Sequence, residues 1–304
     1  MGLFDIKKKI HQIDNEDEFE VGENLARSAS DAASRVIKEL SGRSTKLGKK
    51  MADNVIVFTN ASGGTGASTL AHNVAYTAIE KGVKTILIDL NILCPSQHIY
   101  LGVKPDLKSK DDLVAYLLGK SQLSDCIDKT HRVHLMYSIN RTLSDDINCS
   151  ENIGIANFNE MIKRLRQLYD LVIIDCPMTI NNMLQNVALY ECDTIYCVWD
   201  EGISSMVNTE RLRRNMAFSG IDSFVKLKVI LNKRTSVHFS SYPLKKLNIE
   251  LVETLPFDVD IIDNSLKGRI FCENGTTVNE NANIFAQKIE SLTDKILKIG
   301  GYVE

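Results

Sequence analysis

The stretch that decides the fold runs Val55-Ile56-Val57-Phe58-Thr59-Asn60-Ala61-Ser62-Gly63-Gly64-Thr65-Gly66-Ala67-Ser68-Thr69-Leu70. A short apolar run leads straight into a cluster of glycines, and a helical period over about 67 to 81 comes next. Glycines let the backbone bend so that successive N–H groups point inward, and the N-terminus of the next helix adds partial positive charge. Strand, glycine loop and helix in that order predict a phosphate-binding loop over Gly63, Gly64, Thr65, Gly66, Ala67, Ser68 and Thr69. In such a loop the Ser68 hydroxyl stands where it would meet Mg²⁺.

Working outward, five more apolar runs read as strands: Thr85–Ile88, His134–Tyr137, Leu171–Ile174, Thr194–Val198 and Leu227–Leu231. Most are almost continuously apolar, as strands covered on both faces are. Amphipathic periods near 111 to 118, 157 to 168, 181 to 189, 203 to 217 and 281 to 298 read as helices. Strand and helix alternating this often predict an α/β fold, a mostly parallel twisted sheet with helices on both faces and right-handed crossovers. Two of the apolar runs close in an acid, Asp89 and Asp175. At the carboxyl ends of parallel strands these acids share an edge with the glycine loop, where ligands of such sheets bind. Asp175 would hold the Mg²⁺ shell through water, and Asp89 would sit near the γ-phosphate and the metal.

Composition bounds the rest. With 304 residues, 44% hydrophobic, 25% charged and a net charge of −3, the chain is neither disordered nor collagen-like, nor a strongly cationic nucleic-acid coat. Apolar runs stay short of the roughly 18 to 20 residues that a membrane span needs. Seven cysteines without a Cys-x-x-Cys pair fit buried thiols in a reducing compartment, so a cytoplasmic protein is expected. Residues 1–50 differ in texture from the remainder of the chain and read as a helical and flexible arm, leaving 51–304 as the nucleotide-binding domain. Within the arm, Leu3, Phe4, Ile6, Ile10 and Ile13 fall at helical spacing beside Lys7-Lys8-Lys9. Residues 1–13 therefore suit contact with a membrane surface at its inner face, or with a partner; a tail packed on its own domain is the plainer alternative.

The loop Ser62-Gly63-Gly64-Thr65-Gly66-Ala67-Ser68 resembles the deviant Walker A box of the ParA/MinD superfamily of ATPases, usually Lys-Gly-Gly-x-Gly-Lys followed by Ser or Thr. Asp89 matches the segment that family calls Walker A′, and Asp175 its Walker B. Asn232-Lys233 resembles the family's strand-end pair that meets the adenine, and Leu255-Pro256-Phe257-Asp258 its segment near the base. The resemblance spans about 52 to 298 and implies ATP or ADP with Mg²⁺ as cofactors, and a homodimer facing itself across nucleotide. Three positions depart from the pattern. Ser62 stands where the signature lysine would reach the partner's phosphates, Ala67 where the loop lysine would neutralise β and γ oxygens, and Asn91 where many members carry an acid. Losing one such charge-stabilising donor typically lowers a phosphoryl-transfer rate by about 10²–10³, so the expectation is little or no hydrolysis. Binding suffers less, because the backbone loop, Ser68, Asp89 and Asp175 remain.

Gly66-Ala67-Ser68-Thr69 followed by Leu70-Ala71-His72-Asn73-Val74-Ala75 is most similar to the TadZ/CpaE branch, whose members position Tad-type pilus or secretion machinery. That branch carries a receiver-like domain in front, which residues 1–50 are too short to form. The resemblance implies a dimeric, nucleotide-binding positioning or assembly factor for a pilus, secretion or conjugation machine. The alternative is a partition-type ATPase riding on nonspecific DNA, for which Arg211, Arg213, Arg214, Lys226, Lys228, Lys233, Arg234, Lys245 and Lys246 are candidates. Partition cycles need ATP turnover, so the three departures count against it. A biosynthetic enzyme, a tyrosine kinase or an electron-transfer protein on this fold finds no supporting tyrosine cluster or cysteine pairing.

Overall fold

The computed structural model describes residues 53–139, 151–177, 183–235, 242–274, 279–299 and 301. The expected arm over 1–50, including residues 1–13, lies outside the described residues. Seven strands form one parallel sheet: β1 (Val55–Asn60), β2 (Thr85–Asp89), β3 (His134–Met136), β4 (Leu171–Cys176), β5 (Thr194–Trp199), β6 (Leu227–Arg234) and β7 (Glu250–Pro256). Their order is β3-β2-β4-β1-β5-β6-β7, which puts β1 at the centre. The longer helices are α1 (Ala67–Glu80), α4 (Glu151–Leu168), α5 (Met183–Glu191), α6 (Ile203–Phe218), α9 (Val259–Leu266) and α11 (Glu280–Ile299). Short helices α2 (Gln97–Tyr100), α3 (Leu113–Leu117), α7 (Ser223–Lys226), α8 (Tyr242–Leu247) and α10 (Phe271–Asn274) lie between them.

Alternation along β1 explains why the sheet is covered twice. Val55 and Val57 pack with Phe158 and Leu165 of α4, Ala188 of α5 and Leu212 of α6 in one apolar cluster. Ile56 and Phe58 point the other way, into a cluster with Leu70 and Val74 of α1 and Phe285 and Ile289 of α11. Each such buried side chain contributes about 1.5–3 kcal/mol relative to exposure, so both faces must be roofed for the strand run to be stable. All six strands expected from sequence are present, and the α/β reading with helices on both faces holds.

Four differences are informative. β7 had no counterpart among the expected strands, because Glu250-Leu251-Val252-Glu253 carries two acids and the strand ends in Pro256. It is an edge strand, and Glu253, 7% exposed, is neutralised by Lys288 at 2.9 Å and Lys295 at 2.9 Å, both on α11. The short helices α2, α7, α8 and α10, and also α9, had no counterpart either; runs of four to eight residues give too few periods to register. α4 begins at Glu151, ahead of the expected 157. Cys94 is exposed and Cys272 half-buried, whereas Cys126, Cys176, Cys192 and Cys197 are buried as expected. Among the described residues, no helix is long and apolar enough to cross a membrane.

Candidate functional site

The carboxyl edge of the central strands gathers the residues singled out above. β2 and β4 run in register, so Asp89 lies directly beside Asp175, and Asp175 in turn beside Phe58 of β1. The loop from Ala61 to Gly66 leaves β1 at this edge and enters α1. Its path needs glycine: Gly64 has φ 79° and Gly66 φ 95°, in the left-handed region. Gly66 is constrained twice, since a Cβ there would come within 2.5 Å of the Asn232 amide nitrogen. As the helix N-cap it brings no side-chain acceptor to the first turn of α1. Gly63 and Gly64 are exposed, with open space where a side chain would be.

The loop is held by groups from other strands. Asn60 Oδ1, at the end of β1, accepts from Thr65 Oγ1 at 3.0 Å and from the Ala67 N–H at 3.2 Å. Asn232 Nδ2 donates to the Thr65 carbonyl at 2.8 Å, and Lys233 Nζ donates to the Gly64 carbonyl at 2.6 Å. These bonds fix the two peptide units whose orientation a phosphate loop depends on. At position 62 the serine hydroxyl lies 3.4 Å from that of Ser205. Ala67 is 1% exposed and belongs to the core cluster over α1.

Beside the loop is a buried polar cluster centred on Gln97, which sequence reasoning passed over. Its amide nitrogen donates to Asp175 Oδ2 at 2.6 Å and to the Ser68 carbonyl at 3.0 Å, while its amide oxygen lies 3.1 Å from His72 Nδ1. The Ser68 side chain also favours the charged form of the Asp175 carboxylate. Burial and the neighbouring Asp89 push the Asp175 carboxyl up to about 7. Burial raises Asp89 too, against three backbone donors: Asn91 N–H at 3.0 Å on one oxygen, Ser96 N–H at 2.7 Å and Gln97 N–H at 2.9 Å on the other. Asp89 thereby ties down the 90–97 segment. Asn91 turns its side-chain oxygen back to the Cys94 N–H at 3.3 Å. A sequence signal for Gln97 was faint: a lone glutamine in a loop, whose position beside α1 is set by the sheet.

A cavity of about 220 Å³ opens on the other side of the loop. Thr69, Asn232, Lys233 and Pro256, all expected at the site, line it with Tyr100 and Phe257. All the expected binding residues thus converge on one edge, at a point where the strand order reverses around β1.

The donor set suits a magnesium nucleotide in kind. A hydroxyl and a buried carboxylate side by side at a helix N-terminus supply hard oxygen ligands, and a carboxyl raised by burial gains from a nearby cation. Among the described residues, no cluster of three His, Cys, Asp or Glu side chains is arranged to hold a metal. A cation here would therefore draw its remaining ligands from phosphate and water, as Mg²⁺ commonly does.

Comparison with known proteins agrees with this geometry. The model of the family described as AAA domain matches residues 53–217, more than half of the chain, and the chain belongs to that family. It is 25% identical over 245 residues to an uncharacterized ATP-binding protein of Methanocaldococcus jannaschii, covering 77% of this chain and 87% of the relative. It is 25% identical over 252 residues to the septum site-determining protein MinD of Thermotoga maritima, covering 78% and 88%. The fold is that of MinD from Pyrococcus horikoshii solved with Mg-ADP, at a TM-score of 0.66 and 20% identity over 82% of this chain and 97% of that one. A ParA family ATPase from Chlorobium tepidum shares the fold as well, at a TM-score of 0.65 and 17% identity over 80% of this chain and 98% of that one.

Proposed function

We propose that this protein binds ATP or ADP with Mg²⁺, hydrolyses it slowly or not at all, and acts as a homodimeric positioning or assembly factor. In this reading Gly63 to Thr69 cradle the phosphates, Ser68 and Asp175 hold the cation, and Asp89 anchors the segment beside it. Asn232, Lys233 and Pro256 form the base cavity. One observation carries the reading: the loop keeps its left-handed glycines and its Ser68–Asp175 pair, yet has Ser62 and Ala67 in the two lysine positions. Phosphoryl transfer depends on cationic stabilisation of the transferring group, whereas backbone N–H groups and a helix dipole suffice for binding. The Mg-ADP in the Pyrococcus relative and the ATP-binding description of the Methanocaldococcus relative support the choice of ligand.

Positioning follows from the septum site-determining relatives, and the TadZ/CpaE-like run from Gly66 to Ala75 favours a Tad-type pilus, secretion or conjugation machine as the client. Any dimer would form without the signature lysine, so it is expected to be independent of nucleotide. The test is to titrate purified protein with ATP and with ADP in Mg²⁺, following binding and phosphate release together. Binding without measurable release is the expected result. Turnover stimulated by DNA would instead favour a partition ATPase, and a strict monomer at micromolar concentration would remove the dimeric scaffold.

A further inference from the structure

We infer that Lys233 takes over the charge that the phosphate loop lacks, supplying to bound phosphates a cation that no residue from Ser62 to Thr69 provides. The inference rests on the nucleotide reading above and adds, to the place of the Lys233 stem in the base cavity, a role for its ammonium at the phosphates. Three observations place it. Its ammonium reaches across to the loop, 2.6 Å from the Gly64 carbonyl, between the exposed Gly63–Gly64 turn and the cavity its own stem lines. Its backbone is left-handed, φ 55°, a conformation that is unfavourable for a residue with a Cβ. Its pairing is irregular too: the β6–β7 register shifts between Leu231 and Arg234, so Asn232 and Lys233 sit in a bulge. Bulges beside sites re-aim side chains, and this one turns a strand residue toward the loop.

The chemistry is set by the surroundings of that ammonium. Gly64 is exposed and the loop's own lysine positions are Ser62 and Ala67. In the ligand-free chain Lys233 satisfies a neutral carbonyl. A lysine head is a compact charge on a flexible four-carbon stem, so it can exchange that carbonyl for a phosphate oxygen with little movement of the backbone. A phosphate oxygen carries negative charge, so it adds a direct Coulomb attraction to the ammonium that the neutral carbonyl lacks. Asn232 keeps the loop in place through the Thr65 carbonyl while Lys233 makes the exchange. The arrangement moves the cation from the loop to the next strand but one, without filling the buried Ala67 position.

The experiment uses the full chain and three probes in Mg²⁺: ATP, tripolyphosphate, which has no base, and adenosine, which has no phosphate. Variants Lys233→Met and Lys233→Asn both remove the charge; asparagine also tolerates the left-handed backbone, so a folding defect confined to the methionine variant is recognised by urea unfolding. Removing one charged partner should weaken ATP and tripolyphosphate binding about 10- to 100-fold. Adenosine binding should fall far less than ATP binding, since only the stem of Lys233 lines the base cavity, and Lys233→Arg should retain ATP. Equal losses for adenosine and ATP, or undiminished ATP binding in both neutral variants, would overturn the inference and leave the nucleotide reading intact. Failure of the unmodified chain to bind either ATP or tripolyphosphate would overturn the nucleotide reading and this inference with it.

Discussion

The two walls of the site are built by different means. The wall proposed for the phosphates, made of β1, the glycine loop, α1, β2 and β4, is assembled from almost wholly buried strands and from a loop whose path depends on the left-handed Gly64 and Gly66. The base wall is made of the end of β6, the edge strand β7 and α9, where polar and charged residues occupy strand positions. Glu253 is buried only because Lys288 and Lys295 of α11 meet it, and Lys233 is aimed only because β6 bulges. A wall made of apolar runs and glycines is local in origin. One made of charges is decided by what arrives from elsewhere in the chain.

That contrast can be broken at Gly66, the seam between the walls. Gly66→Ala places a Cβ within 2.5 Å of Asn232 Nδ2 at φ 95°, and should cost about 2–4 kcal/mol in urea unfolding. Nucleotide binding should be lost with it. Retained binding would show that the walls are not locked together there.

Through His72 the phosphate wall carries a contribution that acid removes. His72 is fully buried, its Nε2 has no partner among the described residues, and burial holds the ring down to about 4 despite the bond to Gln97. The unfolded chain takes up this proton below about 6.5 and folded His72 refuses it until about 4, so stability falls as pH drops through that window, by about 3 kcal/mol in all. A series of urea midpoints against pH checks it, and His72→Gln should flatten the slope.

A pH effect of the opposite sign is expected at Asp175. Its carboxyl is raised to about 7, so the charged form is disfavoured in the folded chain and the cost is fully present above that pH. Asp175→Asn should stabilise the ligand-free protein by about 1–2 kcal/mol at pH 8 and by much less at pH 5, while removing the Mg²⁺ dependence of ATP binding. Destabilisation at pH 8 would show that the carboxylate is structural. Glu253→Gln on the base wall sharpens the comparison from the other side. Burial would raise this carboxyl, but Lys288 and Lys295 outweigh it and hold it below the usual range. The variant should lose about 1 kcal/mol, since both lysines are half exposed and partly hydrated. Tripolyphosphate binding should not change.

Much of the phosphate wall was legible for a physical reason. Continuous apolar runs such as Leu171–Ile174 need cover on both faces wherever they lie, and Gly64 and Gly66 adopt positive φ that few other residues accept. The acids Asp89 and Asp175 were placed at one edge by parallel topology alone. Asn60 and Gln97 were missed because neither carries a pattern: their importance lies in which oxygen or N–H each meets across the sheet. β7 was missed because Glu250 and Glu253 read as solvent-facing: Glu250 is indeed exposed and pairs with Lys228 of β6, whereas Glu253 is buried against Lys288 and Lys295 of α11.

The amino-acid order by itself determined a parallel α/β sheet and a glycine loop at its carboxyl edge with Ser62 and Ala67 rather than lysine in it, since each depends on residue type and short spacing. Tertiary structure alone decided that Gln97 links Ser68, His72 and Asp175, that β7 closes the sheet, and that Lys233 reaches Gly64 from 169 residues away. Charges and amides act over a few ångströms with whatever partner the fold delivers, and spacing along the chain does not record that partner.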